Sequence, residues 1–374
     1  MDPIHSPSVF CNWAATSPKL IVPYCADQIR TVRTSEEHDW LNAARRSICA
    51  FFGVKEPERV IFGSGATDLL NKLLFGSVKY AKKGFLTTTL EHNSVLRPLY
   101  CIRDRYSVPI HWCYPDEEGT ISLESVRSAI KEGVGVFVIS HASNVTGVFQ
   151  PIQEIIQIAH KNGVKVIVDA AQTGGRLAID LSETQPDAMV FAVHKGFMGM
   201  TGLGFMILKE GFDPDPVVYG GTGAYSELED QPEEYPYRLE AGTLNTMAIA
   251  HLLDVLEHFS KRKIFDSIRK AEGDFRDFEK RAQEIPGIQT FVFSAERLPF
   301  INILMDSSSP EELAFILRQG FGMIVRHGLH CAPLVHRRLG TFPRGTVRLS
   351  FGYSTSSADL EAVLQALRNI AGKG

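Results

Sequence analysis

The sequence predicts an α/β protein: a large domain built on a mostly parallel sheet covered by helices, followed by a smaller α+β domain. Three observations predict it. Apolar, β-rich runs alternate with helical patterns through roughly the first 260 residues. Several of those runs are apolar throughout, as strands buried on both faces must be. Near residue 260 the texture changes to a charged, helix-favouring stretch, and a second alternation on a smaller scale follows.

Taken in order, Val60-Ile61-Phe62 reads as a strand running into Gly63-Ser64-Gly65. Leu69, Leu70, Leu73 and Leu74 then fall on one face of a helix. Gly133 to Ser140 is a second strand, and Ile152, Ile155, Ile156 and Ala159 recur at helical spacing over Ile152 to Lys161. Val164 to Asp169 is a strand that ends on an acid; Met189 to Val193 and Gly204 to Leu208 complete the large sheet. Gly211 to Pro236, rich in Pro, Gly, Asp and Glu, is a long irregular segment of the kind that often carries function. His258 to Gln283 is helical in character. Beyond it, strands are expected at Ile288-Phe293, Ile301-Met305, Met323-Arg326 and Thr346-Phe351, with a helix over Pro310 to Gln319. Ser356 and Asp359 make a capping pattern before Leu360, Val363, Leu364 and Leu367, which predicts a helix from Ser357 to Arg368. The domain organisation read from this is an N-terminal segment, 1–25, packing on the small domain; a large domain, 26–260; and a small C-terminal domain, 261–374.

The totals exclude several function classes. The chain has 374 residues, 44% hydrophobic and 22% charged, with a formal charge of -4. That is an ordinary globular composition, with no electrostatic case for nucleic acid or an anionic membrane surface. Met1 to Ser8 holds Asp2, two prolines and no apolar core, so no leader is expected, and no apolar run is long enough to span a bilayer. The six cysteines, at 11, 25, 49, 101, 113 and 331, show neither CxxC pairing nor metal-ligand spacing. A reduced, cytoplasmic protein is the expectation.

The chemistry lies at the strand ends, where ligands collect in an open parallel sheet. Gly65-Ala66-Thr67 opens a helix, whose free N–H groups and dipole suit a phosphate. His141, Ser143 and Asn144 follow one strand, Asp169 and Gln172 another, and His194 and Lys195 a third. Each alone has a bland explanation: a turn, a cap, a solvated lysine. Together they offer a phosphate cradle, an acid, hydrogen-bond donors and an amine in one crevice. Pyridoxal phosphate needs this set: an amine for the Schiff base, an acid to keep the pyridine nitrogen protonated and an anchor for the phosphate. A Rossmann nucleotide site beginning at Gly63-x-Gly65 is disfavoured, because its third glycine is replaced by Asp68.

From about Asn12 to the C-terminal helix the chain resembles the cysteine desulfurases, class V aminotransferase-like, fold-type I pyridoxal-phosphate enzymes. The motifs are Ala14-Ala15-Thr16, Glu91-His92-Asn93, Ser143-Asn144-Val145, Asp169-Ala170-Ala171-Gln172, His194-Lys195, Glu240-Ala241-Gly242-Thr243, Gly328 to Ala332 and Arg348. The resemblance implies that Lys195 carries the cofactor and moves the α-proton, and that Asp169 pairs with the ring nitrogen. It implies that His92 stacks on the ring, and that Gln172 and Asn144 serve the ring oxygen or the substrate carboxylate. It further implies that Ala66, Thr67 and His194 hold the phosphate, that Arg348 clamps the substrate carboxylate, and that Cys331 takes sulfur from L-cysteine as a persulfide, leaving L-alanine. Thr243 implies a homodimer with shared active sites, its hydroxyl reaching the neighbouring subunit's phosphate.

Cys331 also has a local argument. It sits in Arg326 to Pro333, where Arg326, His327 and His330 are positioned to raise its thiolate fraction. Two departures from relatives stand out: Asn12-Trp13 where Asp-Asn is usual, and Ala192 where a hydroxyl residue usually contacts the phosphate. The alternatives are a selenocysteine lyase and a class V lyase or aminotransferase that does not use Cys331. A sulfur-acceptor protein is the expected partner, with no nucleic acid and no membrane.

Overall fold

A computed structural model of the chain describes residues 9–18, 35–183, 185–261 and 264–372. Cys25 and most of the expected 1–25 segment lie outside them.

Seven strands form the large sheet, in the order β2-β8-β7-β6-β5-β3-β4. They are β2 (Val60–Gly63), β3 (Phe85–Thr88), β4 (Ile110–Cys113), β5 (Val136–Ser140), β6 (Lys165–Asp169), β7 (Ala188–Ala192) and β8 (Gly204–Leu208). Only β8 runs against its neighbours; the other pairings between adjacent strands are parallel. β5, β7 and β8 are buried along their whole length, which is why the sequence shows them as unbroken apolar runs. Helices α1 (Ser35–Phe52), α2 (Ala66–Gly76), α3 (Asn93–Tyr106), α4 (Leu123–Lys131), α5 (Ile152–Lys161) and α6 (Thr246–Lys261) accompany this sheet. Two apolar clusters line it. One holds Phe137, Val166 and Phe191, the other Ile61, Val138 and Met206. Alternate residues of one strand thus face opposite layers.

The register brings the informative strand ends side by side. Ser140 pairs with Asp169, Asp169 with Val190, and Ala192 with Gly204, which in turn pairs with Gly63. A Cβ at Gly204 would lie 2.7 Å from the Gly65 carbonyl carbon. Glycine there lets the turn into α2 rest directly on the sheet.

After α7 (Ile264–Gln283) the chain builds an antiparallel sheet in the order β12-β13-β10-β9. Its strands are β9 (Ile288–Phe291), β10 (Phe300–Met305), β12 (Arg326–Gly328) and β13 (Thr346–Ser350), with α8 (Pro310–Phe321), α9 (Pro333–Arg338) and α10 (Ser357–Ala371). Full capping boxes start α8 and α10, Ser309 with Glu312 and Ser356 with Asp359. The expected strand at Met323-Arg326 is two strands. β11 (Met323–Ile324) pairs in parallel with β1 (Val9–Phe10), whereas β12 joins β13, so the chain changes sheet at Val325. Val9 and Cys11 share a core with Ile301, Leu349 and Leu367. Between 209 and 245 there is no helix or strand, matching the irregular segment read from composition.

Candidate active site

A cavity of about 360 Å³ opens at the carboxyl ends of the parallel strands. Five connections supply its wall. The turn into α2 contributes Ser64 to Asp68, the start of α3 contributes His92 and Ser94, and β5 and the turn after it contribute Ser140, Ala142 and Asn144. Asp169, Ala171 and Gln172 follow β6, and Ala192, His194 and Lys195 follow β7. Of the residues singled out in the sequence, Lys195, Asp169, Gln172, His92, Asn144, Ala66, Thr67 and His194 line this one space; His141, Ser143, Cys331, Arg348 and Thr243 do not.

The electrostatics differ from residue to residue. Asp169, 6% exposed, accepts the Ala171 N–H at 2.9 Å. Burial raises its pKa, and Lys195 and that N–H oppose the rise. The Lys195 amine is pulled down to about 8, mainly by burial and further by Arg348, Arg176 and Arg326, while Asp169 holds it up. His92 caps α3, its Nδ1 accepting the Ser94 N–H at 3.0 Å. The imidazole proton is thereby assigned to Nε2. Burial, followed by Lys195 and three arginines, drives the His92 pKa to about 3, so the ring is neutral. Gln172 Nε2 donates to the Ala14 carbonyl at 3.0 Å, and its buried Oε1 has no partner among the described residues. Gly65 gives α2 no side-chain cap. Ala192 does line the wall, without a hydroxyl. One anion stands in the cradle: Asp68, tied to the Ser64 N–H and, at 3.4 Å, to Lys72.

Arg348 is fully buried, and its Nη1 donates to the Asn144 carbonyl. Its Nε and Nη2, the edge suited to a bidentate carboxylate, have no partner among the described residues. Burial lowers its pKa to about 9, with Arg326 and Arg176 adding to the effect. Arg326 is its cross-strand neighbour and does line the cavity. Like charges directly opposite are destabilising without an anion between them.

The Cys331 loop is stitched to the cavity wall. Asn93 N–H donates to the Cys331 carbonyl at 2.7 Å and Asn144 Nδ2 to the His330 carbonyl at 2.6 Å. Arg326 Nη2 lies 3.1 Å from Cys331 Sγ. Cys331 is half-buried, whereas Cys11, Cys49 and Cys113 are buried and their thiols pushed upward by burial. Of the three neighbours expected to act on this thiol, only Arg326 touches the sulfur. His327 faces Glu311 at 3.6 Å, and His330 turns inward to Thr346. Burial holds the His330 imidazole deprotonated, so it supplies no positive charge.

Thr243 is exposed, and the preceding Glu240 is anchored by Arg45 at 2.7 Å and by the Phe62 N–H at 2.7 Å. Two features were not read from the sequence. Arg326 was assigned to the thiol alone, yet it lines the cavity. Glu91 is fully buried and accepts from Thr88 Oγ1 at 2.6 Å and from both the N–H and hydroxyl of Ser140. Burial raises its pKa to about 7, and Asp169 contributes to the rise. An acid at a strand end beside His92 was the available signal.

Comparison with known proteins gives one consistent result. The aminotransferase class-V family model matches residues 25–363. A probable cysteine desulfurase of Pyrococcus abyssi is 30% identical over 336 residues, spanning 87% of this chain and 82% of the relative. One from Methanothermobacter thermautotrophicus is 27% identical, spanning 89% and 84%. The apo structure of a cysteine desulfurase from Thermococcus onnurineus superimposes with a TM-score of 0.83 at 23% identity, covering 98% of this chain and 95% of the other. The cysteine desulfurase CsdA of Escherichia coli, in an S-sulfonic acid form, gives 0.83 at 19% identity, covering 97% and 94%. These two likenesses describe the fold, and the match along the sequence supplies the rest: the chain belongs to the class-V aminotransferase family.

Proposed function

We propose that this protein is a pyridoxal-phosphate-dependent cysteine desulfurase that converts L-cysteine to L-alanine and takes the sulfur on Cys331. The observation that carries the reading is the join between an amine site and a thiol site. Arg326 lines the Lys195 cavity and touches Cys331 Sγ at 3.1 Å. The residues present fit the cofactor: an amine lowered to about 8, a buried acid, an uncapped helix N-terminus and Gln172, whose Oε1 has no partner among the described residues, all line one cavity. Lys195 would hold it, with Asp169 at the ring nitrogen, Gln172 and Asn144 at the ring oxygen, His92 at the ring face, and Ala66, Thr67 and His194 at the phosphate. Bound there, pyridoxal phosphate supplies an aldehyde and a protonated ring that withdraws electrons from the bonds at the substrate α-carbon.

The residues do the remainder. Arg348 presents its Nε and Nη2 edge to the substrate carboxylate. Lys195, neutral in part near pH 8, takes the α-proton. The Cys331 thiolate, beside the Arg326 guanidinium, attacks the substrate sulfur: an S–S bond forms, the Cβ–S bond breaks, and its electron pair returns to carbon, which is protonated to give alanine. The thiol becomes a persulfide with no outside oxidant, and an acceptor protein then removes the sulfur. Val217, Val218, Tyr219 and Leu228 expose apolar surface on the irregular segment, which the Gly242 N–H, next to Thr243, joins by donating to the Gly221 carbonyl at 2.9 Å. That supports a homodimer in which Thr243 serves the neighbouring site.

The test is to load the protein with pyridoxal phosphate, add L-cysteine and measure alanine. Stoichiometric or catalytic alanine is expected, and its absence would reject the assignment. Two further results are expected. Capture of the cofactor by apo-protein needs the uncharged amine, so its rate should climb about tenfold per pH unit below pH 8 and level off above. A rate flat over that range would mean another group limits capture. Arg348→Ala should raise KM for L-cysteine about 10- to 100-fold through loss of a charge-assisted pair, with kcat less affected. Loss of kcat at unchanged KM would move Arg348 to the chemical step.

A further inference from the structure

The residues that present the thiol have an unusual backbone. His330 and Cys331 both have positive φ, 50° and 60°, in the left-handed region where the Cβ of an L-residue is crowded. Two such residues in succession persist only where the surroundings over-determine them.

A closed ring of buried hydrogen bonds supplies that constraint. Asn144 Nδ2 donates to the His330 carbonyl at 2.6 Å, and the His330 Nε2 meets Thr346 Oγ1 at 3.3 Å. Thr346 Oγ1 donates to Asn302 Oδ1 at 2.8 Å, and Asn302 Nδ2 donates to the Val145 carbonyl at 2.7 Å. Val145 follows Asn144, which closes the ring. Its polarity is determined. The Val145 carbonyl fixes the Asn302 amide, the single proton of Thr346 goes to Asn302 Oδ1, and Thr346 must therefore accept from His330. The His330 proton is thus assigned to Nε2. Asn302 is 1% and Thr346 0% exposed, so neither has water as a substitute partner. β-pairing sets Asn302 opposite Arg348, and Thr346 opposite Gly328 of the thiol loop.

We propose that Asn302, Thr346 and His330 are positioning residues that hold Cys331 in its left-handed conformation, and that this ring governs the rate of sulfur transfer. The positioning stands on geometry alone; its effect on sulfur transfer rests on the desulfurase reading above. Asn302, Thr346 and His330 do not line the cavity, so their effect passes through the loop.

Thr346→Val keeps the side-chain shape and removes the hydroxyl that joins His330 to Asn302, while Thr346→Ser keeps the hydroxyl. In Thr346→Val holoenzyme, amide hydrogen exchange across 328–332 should quicken about tenfold from the lost bonds. The kcat for alanine release should fall about 10- to 100-fold, as a misplaced nucleophile costs. Cofactor loading and KM should stay within about twofold, and Thr346→Ser should restore exchange and kcat. Asn302→Ala opens the same ring at another link and must give the same pattern if Thr346→Val does not fold. Wild-type exchange and kcat in Thr346→Val would overturn the proposal, as would a loss of cofactor loading in step with kcat that serine fails to rescue. If the wild-type protein releases no alanine, the desulfurase reading fails, and the exchange measurement still decides whether the ring holds the loop.

Discussion

Lys195→Ala is expected to abolish turnover, by roughly ten-thousand-fold or more, and to leave the protein folded. The loss follows because, on the proposed reading, Lys195 is both the amine that anchors the cofactor and the base that moves the α-proton. The fold should persist because the bonds residue 195 makes within the turn are main-chain ones: its N–H to the Ala192 carbonyl, and its carbonyl to the Met198 N–H at 2.8 Å and to Ser17. Alanine retains all of them. The substitution also takes one cation away from Arg348, Arg176 and Arg326, which repel it. Borohydride treatment should fix cofactor covalently to the Lys195 peptide of the wild-type protein and to no peptide of the variant. A variant that still fixed cofactor to another lysine would show that the amine site is misassigned.

Cys331→Ser should uncouple binding from chemistry. Serine tolerates the same backbone and keeps a contact for Arg326, so the cavity, its cofactor and its affinity for L-cysteine should be unchanged. An alkoxide is far less accessible than a thiolate near pH 7, and sulfur has nowhere to go. Alanine release should fall by at least about a thousandfold, and no persulfide should form. Full activity toward L-cysteine would remove Cys331 from the mechanism. Retained cleavage of selenocysteine alone would favour the lyase, because selenium leaves more readily than sulfur.

Much of this was legible from residue order, for reasons that can be named. Strands buried on both faces, such as Val136–Ser140 and Gly204–Leu208, announce themselves as apolar runs. The helix at Ile152–Lys161 was bounded correctly because its four buried residues recur at helical spacing. No strand or helix was read between 85 and 131, although this stretch supplies β3, β4, α3 and α4. Thr87 and Thr88 interrupt the apolar signal of β3, and Pro98 sits inside α3, where packing on α2 outweighs its local cost. Within the site, strand-end position predicted most of the residues that share the cavity, since parallel register carries them there, but His141 and Ser143 turn to Thr173 and to the Val145 and Thr146 N–H groups instead. It did not predict that Arg326 reaches the cavity or that His330 turns away from the thiol. Both depend on β12 leaving the β11 direction and joining β13, a tertiary choice with no local sequence signal. The expected role of His330 as a charge near sulfur gives way to one as a buried neutral donor.

The central claim is that sulfur moves from L-cysteine to Cys331 in a cavity organised around Lys195. Mass spectrometry of the cofactor-loaded wild-type protein after brief exposure to L-cysteine tests it most directly. The account predicts a single added sulfur atom on the Cys331 peptide, formed together with one alanine and absent when cofactor is omitted. Alanine release with no sulfur on Cys331, or sulfur on Cys101 in its place, would contradict it.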